Sequence, residues 1–271
     1  AVRDGRSVTP PRSRAKEVAE LARAFEEMRV ALEGKAYVER YTQALTHEFK
    51  APLSAIRGAA ELLAENPPEP DRARFLANLR AESARLQLIV DRLLELAALE
   101  SRRAGHAMAG VDLAHVLREV ADGAASTAAA RGVALTLETP ANPRVRGDGM
   151  LLADAVRNLV HNALEFTPPR GGVALRLGVE RGHAIVTVED TGPGVPDYAT
   201  ERIFERFYSL PRPDTGRKSS GLGLSLVREI ARLHGGEIAL ANRAEGGARG
   251  AFVAAGVSGR PSSPRIHGGF I

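Results

Sequence analysis

Val173-Ala174-Leu175-Arg176-Leu177-Gly178-Val179-Glu180-Arg181-Gly182-His183-Ala184-Ile185-Val186-Thr187-Val188-Glu189-Asp190-Thr191-Gly192-Pro193-Gly194 contains two runs rich in β-branched and apolar residues, broken by Arg181-Gly182. That pattern predicts strands at Val173–Glu180 and Ala184–Glu189 joined by a tight turn. Working outward, apolar residues at helical spacing predict helices from Asp148 to Leu164, from about Leu113 to Ala130, and from near Gly221 onward. Val133–Glu138, Glu237–Ala241 and Ala251–Val257 read as further strands. Adjacent strands joined by Gly-rich turns, with helices between them, argue an α+β sandwich over residues 105–257.

Upstream the period changes. Val38, Tyr41, Leu45, Phe49, Leu53, Ile56, Ala60 and Leu63 recur every three or four residues from about Tyr37, with Pro52 expected to kink the helix by removing one backbone donor. Residues 65–70, Glu-Asn-Pro-Pro-Glu-Pro, stop it, and Asp71 offers an N-cap for a second run through Phe75, Leu79, Leu86, Val90, Leu93 and Ala97. Two long antiparallel helices follow, over residues 35–104. Their apolar stripe is too long to leave wet, so a second copy completing a four-helix bundle, a homodimer, is expected. An earlier amphipathic helix, Glu17 to Glu33, falls within residues 1–34, and the Gly-, Pro- and Ser-rich tail 258–271 reads as disordered. Gly105 to Gly110 is small and flexible, and suggests a hinge between the two cores.

Composition narrows the functional classes. The 271 residues contain no Cys, which removes disulfides, thiolate metal sites and cysteine nucleophiles. A net charge of only +4, with the basic residues scattered, gives no nucleic-acid footprint. No window approaches a bilayer-spanning apolar run, and without an initiator Met the chain reads as a piece of something larger.

Four clusters carry chemistry. In Thr46-His47-Glu48-Phe49-Lys50-Ala51-Pro52, His47 points to water when Leu45 and Phe49 face the core. A neutral imidazole is a competent nucleophile, and Glu48 is placed to hydrogen-bond one ring nitrogen so that the other presents its lone pair. Asn158 and Asn162, one turn apart, are either solvated surface or amide oxygens for Mg²⁺, a hard cation that prefers oxygen. Asp190 with Gly192 and Gly194 is either a tight turn or a site where a carboxylate accepts from an adenine amino group while glycines admit the base. Finally, Ser219-Ser220-Gly221-Leu222-Gly223-Leu224-Ser225 runs into an apolar helix whose N-terminal N–H groups would face a polyphosphate.

In this order, with Ile203-Phe204-Glu205-Arg206-Phe207-Tyr208 between the third and fourth, the clusters closely resemble the sensor histidine kinases of two-component systems, over most of the chain. Residues 44–63, 162–168 and 218–224 look especially like the CreC-type sensor kinases, and the opening helix resembles the end of a HAMP module. The resemblance implies His47 as phospho-acceptor with Glu48 beside it. It implies an ATP pocket of Asn158, Asn162, Asp190, Gly192, Gly194, Gly221, Leu222, Gly223 and Leu224, with Mg²⁺ at Asn162 and a lid over about Ser209 to Ser220. It further implies transfer to an aspartate of a response-regulator receiver domain, and placement as the cytoplasmic portion of an inner-membrane protein anchored through a part N-terminal to this chain. Three departures stand out. Glu165 occupies the position where most of the family has Lys or Arg, leaving Arg206, Arg217 or Lys218 to substitute; Ser219 stands where a Gly is common; and Ala51 stands where many relatives carry Thr, Asn or Ser. A hydrolysing ATPase of the wider superfamily needs a Glu on the asparagine helix to activate water, whereas Asn158 is a poor base. A non-catalytic dimeric scaffold is the other alternative, and Glu165 is the residue that favours it.

Overall fold

The computed structural model describes residues 42–101, 108–214, 216 and 218–254. The amphipathic helix within 1–34, residues 105–107 of the expected hinge and the 258–271 tail lie outside the described residues. Two compact units make up the chain, Ala1–Ser54 and Ala55–Ile271.

Residues 42–64 are helical (α1) on both sides of Pro52, and a short turn leads to α2, Glu69–Ser101. Together they have the connectivity of a helical hairpin. The α2 start corrects the expected cap: the Asp71 and Arg72 N–H groups both donate to the Pro68 carbonyl, so Asp71 lies inside the first turn. There its carboxylate, like that of Glu69, meets the positive end of the helix dipole and pairs with Arg74 at 3.0 Å. The expected stripe holds at Phe75, Leu79, Leu86 and Leu93, which are half-buried, and shifts by one position elsewhere. Ala59, Ile89 and Leu96 are buried, whereas Ala60, Val90 and Ala97 are exposed. A spacing of three or four leaves two neighbouring registers open, and packing selects between them. Leu53, Leu62, Leu76, Leu88 and Leu94 stay exposed on this single chain, Leu94 by 64%.

The α+β part runs β1 Ala109–Asp112, α3 Leu113–Arg131, β2 Ala134–Glu138, β3 Arg144–Gly147, α4 Gly149–Phe166, β4 Gly172–Glu180, β5 His183–Asp190, α5 Gly223–Leu233, β6 Glu237–Asn242 and β7 Ala248–Ala254. Five strands form one sheet in the order β2-β4-β5-β7-β6, parallel only at β2-β4. Strand alternation puts Leu175, Leu177, Val186, Val188 and Phe252 on the buried side, with α3, α4 and α5 packed on the sheet. The opposite side carries an ionic ladder across four neighbouring strands: Glu138 to Arg176, then Arg176 and Arg249 both to Glu189. Burial alone would raise the Glu189 pKa, but the two guanidiniums hold it below the ordinary carboxylate value. β1 and β3, paired antiparallel, escaped the sequence reading because Val111 and Val145 alone offer too short a pattern for a period.

Caps set the helix limits. Asp112 accepts from the His115 N–H, and Asp148 accepts from Met150 and Leu151, so Asp148 precedes α4 as its cap. The α5 helix begins at Gly223, two residues later than expected. Its far end is tied to α4 by His234, 3% exposed. His234 Nε2 accepts from the Asp148 N–H at 3.0 Å, so Nδ1 carries the proton and donates to the Ile230 carbonyl at 2.8 Å.

Burial pushes the His234 pKa below its ordinary 6.5, against the Ile230 hydrogen bond and the Asp148 charge. The unfolded chain therefore takes up a proton that the fold resists. This contribution to stability is full above the unfolded pKa and is lost as pH falls below it. Thermal melts between about pH 7.5 and about pH 5.5 should show a falling Tm, and His234→Gln should flatten that slope while lowering stability at the upper end. An unchanged slope in the variant overturns the assignment.

Candidate functional site

The helix α4 positions the asparagines. Leu152, Val156, Leu159, Val160, Ala163 and Leu164 are buried, each fully buried leucine contributing about 2 kcal/mol relative to exposure, and this fixes the rotation of the helix. Asn158, 8% exposed, donates to the Asp154 carbonyl at 2.8 Å. A Cβ added to Gly223 would lie 3.1 Å from Asn158 Oδ1 and 3.9 Å from Asn162 Nδ2, so the start of α5 sits against both asparagines. That start has no side-chain cap. Its first-turn N–H groups are left for solvent or a ligand.

Asp190 ends β5, and its Oδ1 accepts from Gly192 N–H at 2.8 Å and from Ala248 N–H at 3.2 Å. Oδ2 accepts no hydrogen bond among the described residues. Burial pushes the Asp190 pKa up, while the two N–H groups and Arg243 act in the opposite direction. Asn162, Asp190, Gly194, Gly221, Gly223 and Leu224 line one cleft of about 110 Å³, walled by apolar side chains that include Leu159, Phe166, Val188 and Ile203. Tyr208, whose ring carries the Arg202 guanidinium at 4.4 Å, also lines it. Gly192 contributes its N–H rather than a wall, and Leu222 is fully buried behind. Half-buried Arg206 and exposed Lys218 do not line the cleft, and Arg217 lies outside the described residues.

Glu165, three residues past Asn162, pairs with Arg212 and with His161 Nε2 at 3.2 Å. Burial raises its pKa, but His161 and Arg212 together bring it below the ordinary value, so it stays ionised. Arg131 donates to the Leu164 and Glu165 carbonyls and pairs with Asp214 at 2.7 Å. The residue facing Glu165 is therefore Arg212, which the sequence reading did not single out. Ala248 was also missed, because a backbone N–H leaves no trace in residue type. Elsewhere, His47 is exposed and Glu48 half-buried on α1, in the unit Ala1–Ser54.

Two family models match the chain. The His Kinase A (phospho-acceptor) domain covers residues 38–102, and the histidine kinase-, DNA gyrase B- and HSP90-like ATPase covers residues 147–255. The chain belongs to the sensor histidine kinases. Sensor protein CreC of Escherichia coli (strain K12) is 47% identical over 247 residues, 91% of this chain and 52% of that protein. Sensor protein ChvG of Rhizobium meliloti (strain 1021) is 32% identical, over 85% of this chain and 42% of that protein. This histidine kinase chain thus spans about half the length of the curated relatives it matches. Full-length ShkA in complex with AMPPNP superposes with a TM-score of 0.60 at 29% identity, over 82% of this chain and 47% of that one. ThkA in complex with response regulator protein TrrA gives 0.65 at 23%, covering 89% and 67%, a likeness of fold.

In this histidine kinase the β6-β7 turn presses on the loop after β5. Gly247 has φ +88°, and a Cβ there would lie 1.9 Å from the Asp190 carbonyl oxygen. Its neighbour Gly246 has φ +92° but nothing within 4 Å. Gly247→Ala should lower stability by about 3 kcal/mol or more, and Gly246→Ala by only about 1 kcal/mol of backbone strain. Equal denaturant midpoints for the two variants contradict the close approach of this turn to Asp190.

Proposed function

We propose that this chain binds Mg·ATP in the cleft between α4, β5 and α5 and phosphorylates its own His47, then passes the group to an aspartate of a response-regulator receiver domain. The observation that carries the proposal is the convergence of Asn162, Asp190, Gly194, Gly221, Gly223 and Leu224 on one cleft. The residues fit the ligand. Asp190 Oδ2 is an open acceptor suited to an adenine amino group, the apolar walls suit a purine, and the uncapped start of α5 suits phosphate oxygens. The Asn162 side chain offers an amide oxygen for Mg²⁺, with Asn158 next to it. Mg·ATP, when bound, supplies the γ-phosphoryl group with much of its charge neutralised.

His47 presents a ring nitrogen to solvent, and Glu48 orients the ring and takes its proton. Acceptor and cleft belong to different compact units, so their defects separate. The exposed leucines of α1 and α2 support a homodimer, since a second copy would cover them. Resemblance to the family supports placement on the cytoplasmic side of an inner membrane, through a segment outside this chain. Among the described residues no helix is long and apolar enough to cross a membrane.

Incubation with γ-labelled Mg·ATP should give an alkali-stable, acid-labile protein phosphate. His47→Gln should abolish it and leave nucleotide affinity nearly unchanged, whereas Asp190→Asn should weaken affinity. Free phosphate with no labelled protein points instead to a hydrolysing ATPase, and neither product points to a scaffold.

Ala51, exposed one turn beyond His47, bears on the reverse reaction. Its methyl group cannot position the water that dephosphorylates a regulator, so phosphatase activity should be weak and Ala51→Thr should raise it by up to about 10²-fold. Decay of the phosphorylated regulator measures this, and a fast wild type that Thr does not improve overturns it.

A further inference from the structure

Two consecutive residues at the end of β6 hold both ends of the loop that leaves β5. At the far end, Asn242 Nδ2 donates to the Val195 carbonyl and Asn242 Oδ1 accepts from the Val195 N–H, each at 2.7 Å. At the near end, Arg243 Nη1 donates to the Asp190 carbonyl at 2.9 Å, in a half-buried position where Arg243 Nη2 also meets Glu245 at 3.2 Å. Asp190 and Val195 both line the cleft. Neither Asn242 nor Arg243 does.

The local turn explains why these residues are in reach. Arg243 N–H donates to the Gly247 carbonyl and Gly246 N–H to the Arg243 carbonyl, closing the β6-β7 connection and bringing Ala248 N–H to Asp190 Oδ1. One carboxylate oxygen is thus fixed by the same hairpin that fixes the backbone on either side of the loop. The direction of Oδ2 follows from all three attachments. A two-point amide clamp resists both translation and rotation of the Val195 peptide, which a single hydrogen bond does not.

Building on the assignment of the cleft to ATP, we propose that Asn242 and Arg243 are positioning residues for base selection: they set the Asp190–Val195 loop so that Oδ2 accepts from an amino group at the adenine edge and repels the carbonyl oxygen that guanine carries there. Both act from outside the cleft lining. Their loss acts on which base is bound and how tightly, and little on transfer once the site is full.

The test uses the full chain, ATP and GTP as probes, and the variants Asn242→Ala, Asn242→Asp, Arg243→Met and Arg243→Lys. Asn242→Ala should raise KM for ATP about tenfold with kcat for His47 labelling changed less than about twofold, and should narrow the ratio of ATP to GTP affinity by a similar factor. Asn242→Asp keeps the acceptor and loses the donor, so it should fall between, and Arg243→Lys should recover part of what Arg243→Met loses. Amide hydrogen exchange at Val195 should quicken in Asn242→Ala without nucleotide. If the wild type binds ATP and the variants discriminate as well as it does, the clamp is overturned and the site assignment stands; an equal loss of ATP and GTP affinity has the same meaning. A wild type that binds neither nucleotide overturns both.

Discussion

Oδ1 of Asp190 must be satisfied where water hardly reaches it, and much of the α+β unit is arranged around that requirement. A buried carboxylate without partners costs several kcal/mol, so 8% exposure at the end of β5 demands donors from nearby backbone. One donor comes from the chain itself, turned back at Gly192. The other comes from Ala248, and it fixes the sheet: β7 pairs with β5 so that Glu189 lies opposite Arg249, which brings the preceding residue alongside Asp190. The β6-β7 turn must then pass so close to the Asp190 carbonyl that only glycine fits at position 247. Strand register, hairpin turn and cleft are consequences of one solvation problem.

A second constraint acts at the other wall. Glu165 places a negative charge on the asparagine-bearing face of α4, where most of the family has a cation. The chain answers it locally with Arg212 and His161, and it answers the last carbonyls of α4, at Leu164 and Glu165, with Arg131, which in turn holds Asp214. Glu165 and Asp214 offset Arg212 and Arg131, so this rim is nearly neutral rather than acidic. The departure therefore loses a cation without presenting bare repulsion to a polyphosphate. It is a milder change than the sequence suggests, and it weakens the case for a scaffold that has lost turnover.

Long periodic elements were legible from the residues. The strand pair at 173–190 and the helices α3 and α4 came within two residues of their positions, because Val173, Leu175 and Leu177 alternate and Leu152, Val156, Leu159 and Ala163 recur at helical spacing. The clusters around Asn162, Asp190 and Gly221 were legible too, through resemblance as much as chemistry. What escaped had a physical reason. β1 and β3 are four residues each, with one buried valine, Val145, in β3 and only a half-buried Val111 in β1. On α2 two positions of the stripe fell one residue off, Val90 for Ile89 and Ala97 for Leu96, because adjacent apolar residues are interchangeable by hydrophobicity and only packing separates them. Arg212 lies in a loop among prolines, where no period shows which way a side chain turns.

The deeper limit concerns which atoms shape the cleft. Asp190 is held by main-chain N–H groups, the proposed phosphate end offers the main-chain N–H groups of α5, and Val195 is gripped through both of its peptide atoms. Every residue except proline carries those donors, so residue identity marks such a site chiefly by what is missing: glycines where a Cβ would collide, and small residues where the backbone must approach. Asn242 and Arg243, by contrast with Asn162 and Asp190, work on the backbone and do not line the cleft. A site made this way survives wide divergence of its surface so long as the β6-β7 turn and the start of α5 keep their paths. This is how a chain with Glu165 and Ser219 at odds with the family pattern still folds the same cleft.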